Sequence, residues 1–277
     1  MKHMSLKEIQ SVNLELMVDI HDFCKSHGIN YSLAYGSLIG AVRHKGFIPW
    51  DDDIDIWMPR PDFDKFSHMY KSKHGFILSS VYDDDTYVNY TRVYDNRTIV
   101  DCPAKANKKD IGVWVDIFPI DGISDDEKVS RDQFQHLRHY TLQVMKLRFL
   151  LHATERKVDY LRKLKAYIHL ALFKARRKGT YRNWHGKIID ICKEYEFGTT
   201  IRCSSLVCIE ANNNNKQEIF STEDFQNFQL MPFEKQEFYV SSNYDCILKT
   251  IFGDYMEIPP KNKQVSHVIN NWGFYWK

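Results

Sequence analysis

Apolar side chains recur three or four residues apart at Leu6, Ile9, Val12, Leu16, Ile20 and Phe23, which predicts a helix over 5–28 with one buried side. Ser5 is placed to cap its start. His27-Gly28 is placed to end it, because glycine tolerates the left-handed cap conformation. Tyr31 to Tyr35 is short, apolar and aromatic and fits a strand; Gly36-Ser37 breaks it, and Leu38 to Arg43 reads as a first helical turn. After a loop over His44 to Pro49, the run from Asp51 to Met58 (DDDIDIWM) alternates acidic and apolar positions and predicts a second strand. Pro59 to Tyr70 opens on prolines and continues as a helix with Phe63, Phe66 and Tyr70 on one side. Further strands are expected at Phe76–Ser80, Tyr87–Tyr94 and Ile111–Phe118, separated by turn-like clusters at Asp83–Asp85 and Asp95-Asn96. From Asp125 to about Tyr195 the pattern turns helical. The asparagines at 212–215 read as a surface loop, and 219–277 carries short elements punctuated by Pro232 and Pro259-Pro260. Strands mixed with helices in the first half predict a compact α/β or α+β unit. No repeat or linker divides the chain, so residues 1–277 are expected to form one unit with a helical insertion over about 125–215.

The 277 residues suffice for a large core, and 43% hydrophobic with 27% charged residues is ordinary globular composition, which sets disorder aside. Net charge is +2, so its distribution matters more than its sum. Acids crowd around 51–55, 83–85 and 125–127, while Arg156 to Lys187 is basic, suggesting a local surface for anions rather than a nucleic-acid protein. Six scattered cysteines without a CxxC pair suit reduced thiols in the cytosol. His185, Cys192, Cys203 and Cys208 could surround zinc, although their spacing is irregular. No apolar leader and no run of about 20 apolar residues is present, so a cytoplasmic protein is expected, at most peripheral at the inner face of a membrane. One segment, Tyr160 to Lys178, puts Leu161, Leu164, Ile168 and Leu172 on one helical side, with Arg162, Lys163, Lys165, Arg176 and Arg177 elsewhere. It can rest on an anionic membrane. The reading preferred from sequence is a helix packed on the domain with its basic side in water.

The acidic strand carries the candidate chemistry. Residues two apart on a strand share a face, so Asp51, Asp53 and Asp55 point one way, while Asp52, Ile54 and Ile56 point the other. Same-face neighbours lie about 7 Å apart along the chain, close enough for their carboxylates to converge on one or two ions. Three like charges on a rigid strand repel, and Mg²⁺ or Mn²⁺ relieves that repulsion with hard-oxygen coordination. A solvated acidic loop or a calcium-binding turn is the plainer alternative. Gly36-Ser37, after a strand and before a helix, suits close approach of an anion. A further carboxylate is expected from a neighbouring strand: Asp116 in VWVDIFPID, flanked by Val115 and Ile117, fits best, with Asp121 second. Arg43, His44, Arg92 and Arg97 are candidates for phosphate, and His267 a weaker one.

The blocks YGSLIGAVRHKGFIPWDDDIDIWM, WVDIFPID and MPFEKQEFYVSSNYDCILKTIFGDYMEIPP together resemble the LicD family of phosphocholine transferases and fukutin relatives, within the nucleotidyltransferase-fold superfamily. The likeness covers roughly 28–122 and 219–270, and the middle of the chain matches only loosely. It implies an α+β fold, a mixed sheet flanked by helices. It implies transfer of phosphocholine, or a related phospho- or phosphono-substituted alcohol, from a cytidine-diphosphate (CDP) donor to a glycan hydroxyl. Capsule, lipopolysaccharide, teichoic acid or a lipid-linked glycan would be the acceptor. Carried over, Gly36 and Ser37 would grip donor phosphate. Asp53, Asp55 and Asp116 would hold Mg²⁺ or Mn²⁺, two ions being expected, and Asp51 would be either a further ligand or the base. Three alternatives stand beside this: attack at the α-phosphorus with transfer of a nucleoside monophosphate, a non-catalytic nucleotide- or glycan-binding module of the same fold, and a nucleic-acid enzyme. Four retained acids speak against the second, and the lack of a continuous basic face against the third.

Overall fold

A computed structural model of the chain describes residues 1–83, 86, 88–101, 111–155, 160–176, 181–208, 218–268 and 272–277. In chain order the elements are β1 (Lys2–His3), α1 (Leu6–His27), β2 (Ser32–Leu33), α2 (Tyr35–Ile39), β3 (Ile54–Pro59), α3 (Arg60–Met69), β4 (Ile77–Ser79), β5 (Thr91–Tyr94), β6 (Thr98–Asp101) and β7 (Trp114–Gly122). There follow α4 (Glu127–Glu155), α5 (Tyr160–Arg176), α6 (Tyr181–Cys192), β8 (Arg202–Ser204), β9 (Ile219–Ser221), β10 (Phe228–Phe233), β11 (Gln236–Ser241), α7 (Tyr244–Phe252) and β12 (Gly273–Trp276). The α+β expectation holds.

The central sheet runs β2-β3-β7-β5-β4, with β8 and β9 continuing from the far end of β7. Among the described residues β3 and β7 are the one parallel pair; β2, β5 and β4 join antiparallel. Every residue of β7 is buried, as expected of a strand covered on both faces. Ile54, Ile56, Val115 and Ile117 are fully buried, and α1 and α3 pack against these two strands. At the start of α1, Glu8 N–H donates to the Ser5 hydroxyl while the Glu8 carboxylate receives the Ser5 N–H, a complete capping box. Gly28 closes the helix at φ 59°, as the sequence predicts.

Several boundaries depart from expectation. The strand expected over Ile111–Phe118 is Trp114–Gly122, that over Tyr87–Tyr94 begins at Thr91, and that over Tyr31–Tyr35 is Ser32–Leu33 with α2 starting at Tyr35. Two further cases bear on the site. The strand predicted from Asp51 begins at Ile54, because Asp51 N–H closes a turn onto Ile48 O and Asp51–Asp53 form an extended approach to the sheet. The helical region expected over 125–215 ends at Cys192, and β8 then pairs with β7. Cys102, Asp84, Asp85 and the asparagines at 212–215 lie outside the described residues, as do 156–159 and 177–180 of the basic segment.

Asp121, the second choice for the further carboxylate, has a different duty. Arg60 Nε and Nη2 donate to its two oxygens at 2.5 and 3.0 Å, and both side chains are buried. This pair ties the first turn of α3 to the end of β7. Removing one partner would strand the other charge in the core, so Asp121→Ala is expected to cost about 3–5 kcal/mol in denaturant unfolding. Arg60→Met with Asp121→Leu should recover much of that loss.

Candidate active site

The pairing of β3 with β7 decides the geometry. Asp55 stands opposite Asp116 in the parallel register, and Asp116 stands opposite Arg92 on β5. Paired residues on neighbouring strands project to the same face of the sheet. Asp55, Asp116 and Arg92 therefore form one row across three strands. Asp53 lies one side-chain alternation upstream of Asp55, at the mouth of β3. The carboxyls of Asp51 and Asp53 are close enough for each to shift the other's titration. Asp51, Asp53, Asp55 and Asp116 thus lie in one pocket, on the same side of the sheet.

Crowding shows in their protonation. Burial pushes the Asp51 carboxyl well above the usual carboxylate range, and Asp53 and Asp52 push it further. Burial raises Asp53 too, opposed by His267. Asp55 is raised most clearly by burial and then by Asp53, Asp116 and Asp51, with Arg92 opposing. Counter-charge comes from His267 beside Asp53 and from Arg92, whose Nε and Nη2 reach Asp116 Oδ1 and Oδ2 at 2.5 and 3.1 Å. The guanidinium is itself clamped between the rings of Tyr90 and Trp114, at 5.2 and 4.8 Å from their centroids. Arg92 and His267 together face five acids (Asp51, Asp52, Asp53, Asp55 and Asp116), so carboxyls outnumber cations even with the imidazole protonated. That surplus, carried entirely on hard oxygens, fits Mg²⁺ or Mn²⁺.

The residues upstream serve the acids. Gly36 lies so close to Asp51 that a Cβ there would fall 2.7 Å from Asp51 Oδ2. Asp55 N–H donates to Ser37 Oγ at 2.9 Å, which fixes the start of β3. Just ahead, Tyr35 holds φ at 43°, a conformation uncommon for a residue with a Cβ, and its hydroxyl donates to Glu218. From α1, Gln10 and Asn13 donate side-chain N–H groups to Asp51 O and Asp52 O at 2.8 Å each.

The alternation predicts that Asp52 faces away from Asp51, Asp53 and Asp55, but residues 51–53 precede the strand and the Asp52 carboxylate stays near that of Asp53, with partners from 215 residues downstream. Its carboxylate accepts from His267 N–H at 3.1 Å and Val268 N–H at 2.5 Å, with His267 Nδ1 also 3.1 Å away. His267 Nδ1 lies 3.5 Å from Asp53 as well, and its ring packs on Trp272 and Trp114. Asp52, Asp53 and His267 offer ligand atoms within 4.8 Å of one another. Asp52 is committed to the turn at 267–268, which leaves Asp53 as the member of that trio open to the pocket. Two more ties bring the C-terminal part to the same loop. Arg43 donates to Tyr255 O and Glu257 O at 2.6 and 3.0 Å, and Glu234 accepts from Phe47 N–H at 3.2 Å.

Not every sequence candidate arrives here. Arg97 is held by Asp95 and Glu15 on the solvent side of α1, beside a cleft of about 480 Å³ lined with Leu14, Val18, His74 and Phe76. Arg43 is spent on backbone carbonyls and on His44 Nε2. Arg92 supports Asp116 rather than standing free. The zinc alternative finds no support among the described residues. His185 stacks on Tyr181, Cys203 donates to Ser221 O, and burial pushes the Cys208 thiol up to about 12. His267 and Asp52 were underweighted in the sequence. The signal that could have found Asp52 is its place in an acid run, where a buried charge needs a partner.

Asp51, Asp53 and Asp55 titrate above the ordinary carboxylate value of 3.8, and His267 above its 6.5, held up by its bond to Asp52 against the pull of burial. Each binds protons more tightly folded than unfolded. Their stabilisation is complete below the unfolded values and is lost as pH rises through the folded ones. The metal-free protein is expected to melt at progressively lower temperature from about pH 5 to about pH 8. Asp55→Asn should flatten that slope, and a rising Tm over the same interval would contradict mutual repulsion. Gly36→Ala is expected to displace the Asp51 carboxylate and weaken Mn²⁺ binding, read by calorimetry.

A family model described as LicD/FKTN/FKRP, nucleotidyltransferase domain, matches residues 28–162, which include every acid of the pocket. The lipopolysaccharide cholinephosphotransferase LicD of Haemophilus influenzae is 28% identical over 274 residues, 97% of this chain and 98% of its own. An uncharacterised protein of Rickettsia typhi is 35% identical over 85 residues, 27% of this chain and 28% of its own. Another from Rickettsia prowazekii is 46% identical over 48 residues, 17% and 18% of the two chains. With its acids gathered inside the matched segment and the likeness to the Haemophilus influenzae protein running almost end to end, the chain carries a LicD-family domain over residues 28–162.

Proposed function

We propose that the chain is a phosphotransferase that moves phosphocholine, or a closely related phospho-substituted alcohol, from a CDP-activated donor to a hydroxyl of a surface glycan. The observation that carries this reading is the β3–β7 register, which sets Asp55 beside Asp116 with Asp53 and Asp51 at the strand mouth. The likeness to a cholinephosphotransferase over nearly the full chain supports the group transferred and the class of acceptor.

Asp53, Asp55 and Asp116 would hold the divalent cations. Asp116 can do so while gripped by Arg92, because each carboxylate oxygen keeps a second lone pair. Bound there, Mg²⁺ or Mn²⁺ supplies charge neutralisation along the pyrophosphate and favours departure of cytidine monophosphate. The protein's own share is positioning. Ser37 accepts from Asp55 N–H and keeps its hydroxyl proton to donate to a phosphate oxygen. Arg92 keeps Asp116 correctly turned, with Tyr90 and Trp114 against its guanidinium. His267, beside Asp53 and backed by Asp52, orients the outer acid. Asp51, raised by burial and by its neighbours, is placed to take the proton of the attacking hydroxyl, or to serve as a fourth ligand. Asp51→Asn separates the two roles: a base loses turnover with Mn²⁺ affinity kept, and a ligand loses both.

Incubation with CDP-choline, Mg²⁺ and a glycan acceptor should release cytidine monophosphate and leave phosphocholine on the glycan. Asp53→Asn and Asp55→Asn should each lower turnover at least about 100-fold while the melting curve remains cooperative. Retention of cytidine monophosphate on the acceptor would point to nucleotidyl transfer instead. Unchanged turnover in both variants would remove the acid pocket from the reaction.

A further inference from the structure

Helix α5 carries apolar residues on two opposite sides. Leu170 and Phe173 are buried where it packs beside α4, with Lys146 of α4 5.7 Å from the Phe173 ring. About half a turn away, Leu161, Leu164, Ile168 and Leu172 line the other side. This second stripe is exposed: its members are 68%, 42%, 48% and 45% accessible. The packed helix preferred from sequence required those four side chains to be the ones buried, and the structure assigns packing to the other pair.

What borders the stripe indicates what covers it. Arg162 and Lys165 run along one edge, both exposed, and Tyr160 and Tyr167 run along the other, also exposed. No aspartate or glutamate occurs between Tyr160 and Lys178, while seven lysines and arginines do. α4 adds a shorter exposed stripe of the same kind, Leu142, Met145 and Phe149, spaced three and four residues apart. No helix among the described residues is long and apolar enough to cross a membrane.

We propose that the exposed side of α5, aided by α4, lies on the surface of a bilayer bearing anionic headgroups. The leucines and isoleucine would enter the headgroup–acyl boundary, the lysines and arginines would meet lipid phosphate, and the tyrosines would sit at the interface level. Charge argues against a second copy on this face, because any two-fold pairing of α5 would bring together two segments with seven lysines and arginines each and no acid between Tyr160 and Lys178 to offset them. Docking is independent of the transfer reaction proposed above and is tested without donor or acceptor. It would bring the acid pocket to a glycan carried on lipid.

Full-length protein is floated with vesicles of phosphatidylcholine alone and of phosphatidylcholine with phosphatidylglycerol. Binding is expected only to the second, weakening as salt rises. Arg162→Glu with Lys165→Glu should lower the partition coefficient by roughly 30-fold or more. Leu164→Glu with Ile168→Glu should abolish flotation, with the melting temperature unchanged because both sites are exposed. Asp55→Asn should float like the wild type. Failure of the wild type to bind anionic vesicles at low salt overturns the proposal, as does equal binding by the Leu164→Glu, Ile168→Glu variant. So does a dimer in sedimentation that this variant disperses, since the stripe would then seat a second copy.

Discussion

Like charges brought together out of water set the terms for this protein. Four carboxyls converge where β3 enters the sheet, and burial together with mutual repulsion lifts the titration of Asp51, Asp53 and Asp55. Such an arrangement persists only if the surrounding structure holds it in place. Almost every unusual contact nearby does so. Ser37 receives the N–H of Asp55, Gln10 and Asn13 hold the backbone of Asp51 and Asp52, and Arg92 locks Asp116 from the next strand. The remaining excess of negative charge is what makes the pocket suited to hard divalent cations.

The C-terminal third reaches back to that scaffold. It reaches the 43–52 loop at three points: Tyr255 and Glu257 through Arg43, Glu234 through Phe47, and His267-Val268 through Asp52. The motif residues Phe233-Glu234 and Tyr255 thereby gain a physical role. They brace the loop that delivers the acids, with Phe233 stacked edge-on against Phe47. Asp52 links the two halves most directly, since its carboxylate is fully buried and its partners are backbone N–H groups. β12, between β1 and β6, ties down the segment that carries His267.

The helices between β7 and β8 pack chiefly on one another. α4 packs against α6 and α5, and the Arg60–Asp121 pair anchors the end of β7 from which they depart. Within this region the apolar content exceeds what packing uses, and the surplus lies on α5 opposite Leu170 and Phe173. A domain whose acids act on phosphate and whose far helix fits lipid would be suited to an acceptor held at a membrane surface.

Much of this was legible from residue order alone. Periodicity located α1 with its Ser5 cap and Gly28 terminus, because helical spacing and cap chemistry are local; the strict alternation read across DDDIDIWM holds only from Ile54, where β3 begins. Three blocks of motif pointed to the LicD family, and a buried acid in an apolar strand pointed to Asp116. Tertiary structure decided what local pattern cannot encode. The β3–β7 register put Asp116 beside Asp55 and Asp121 on Arg60, although both acids sit in the same strand five residues apart. Arg92, Arg43 and Arg97 look alike in sequence, and only the folded chain shows one clamping Asp116, one holding carbonyls and one on the solvent side of α1. The same holds for α5. Helical spacing reveals an apolar stripe, but which stripe meets the domain depends on where α4 lies, and that is fixed by contacts distant along the chain.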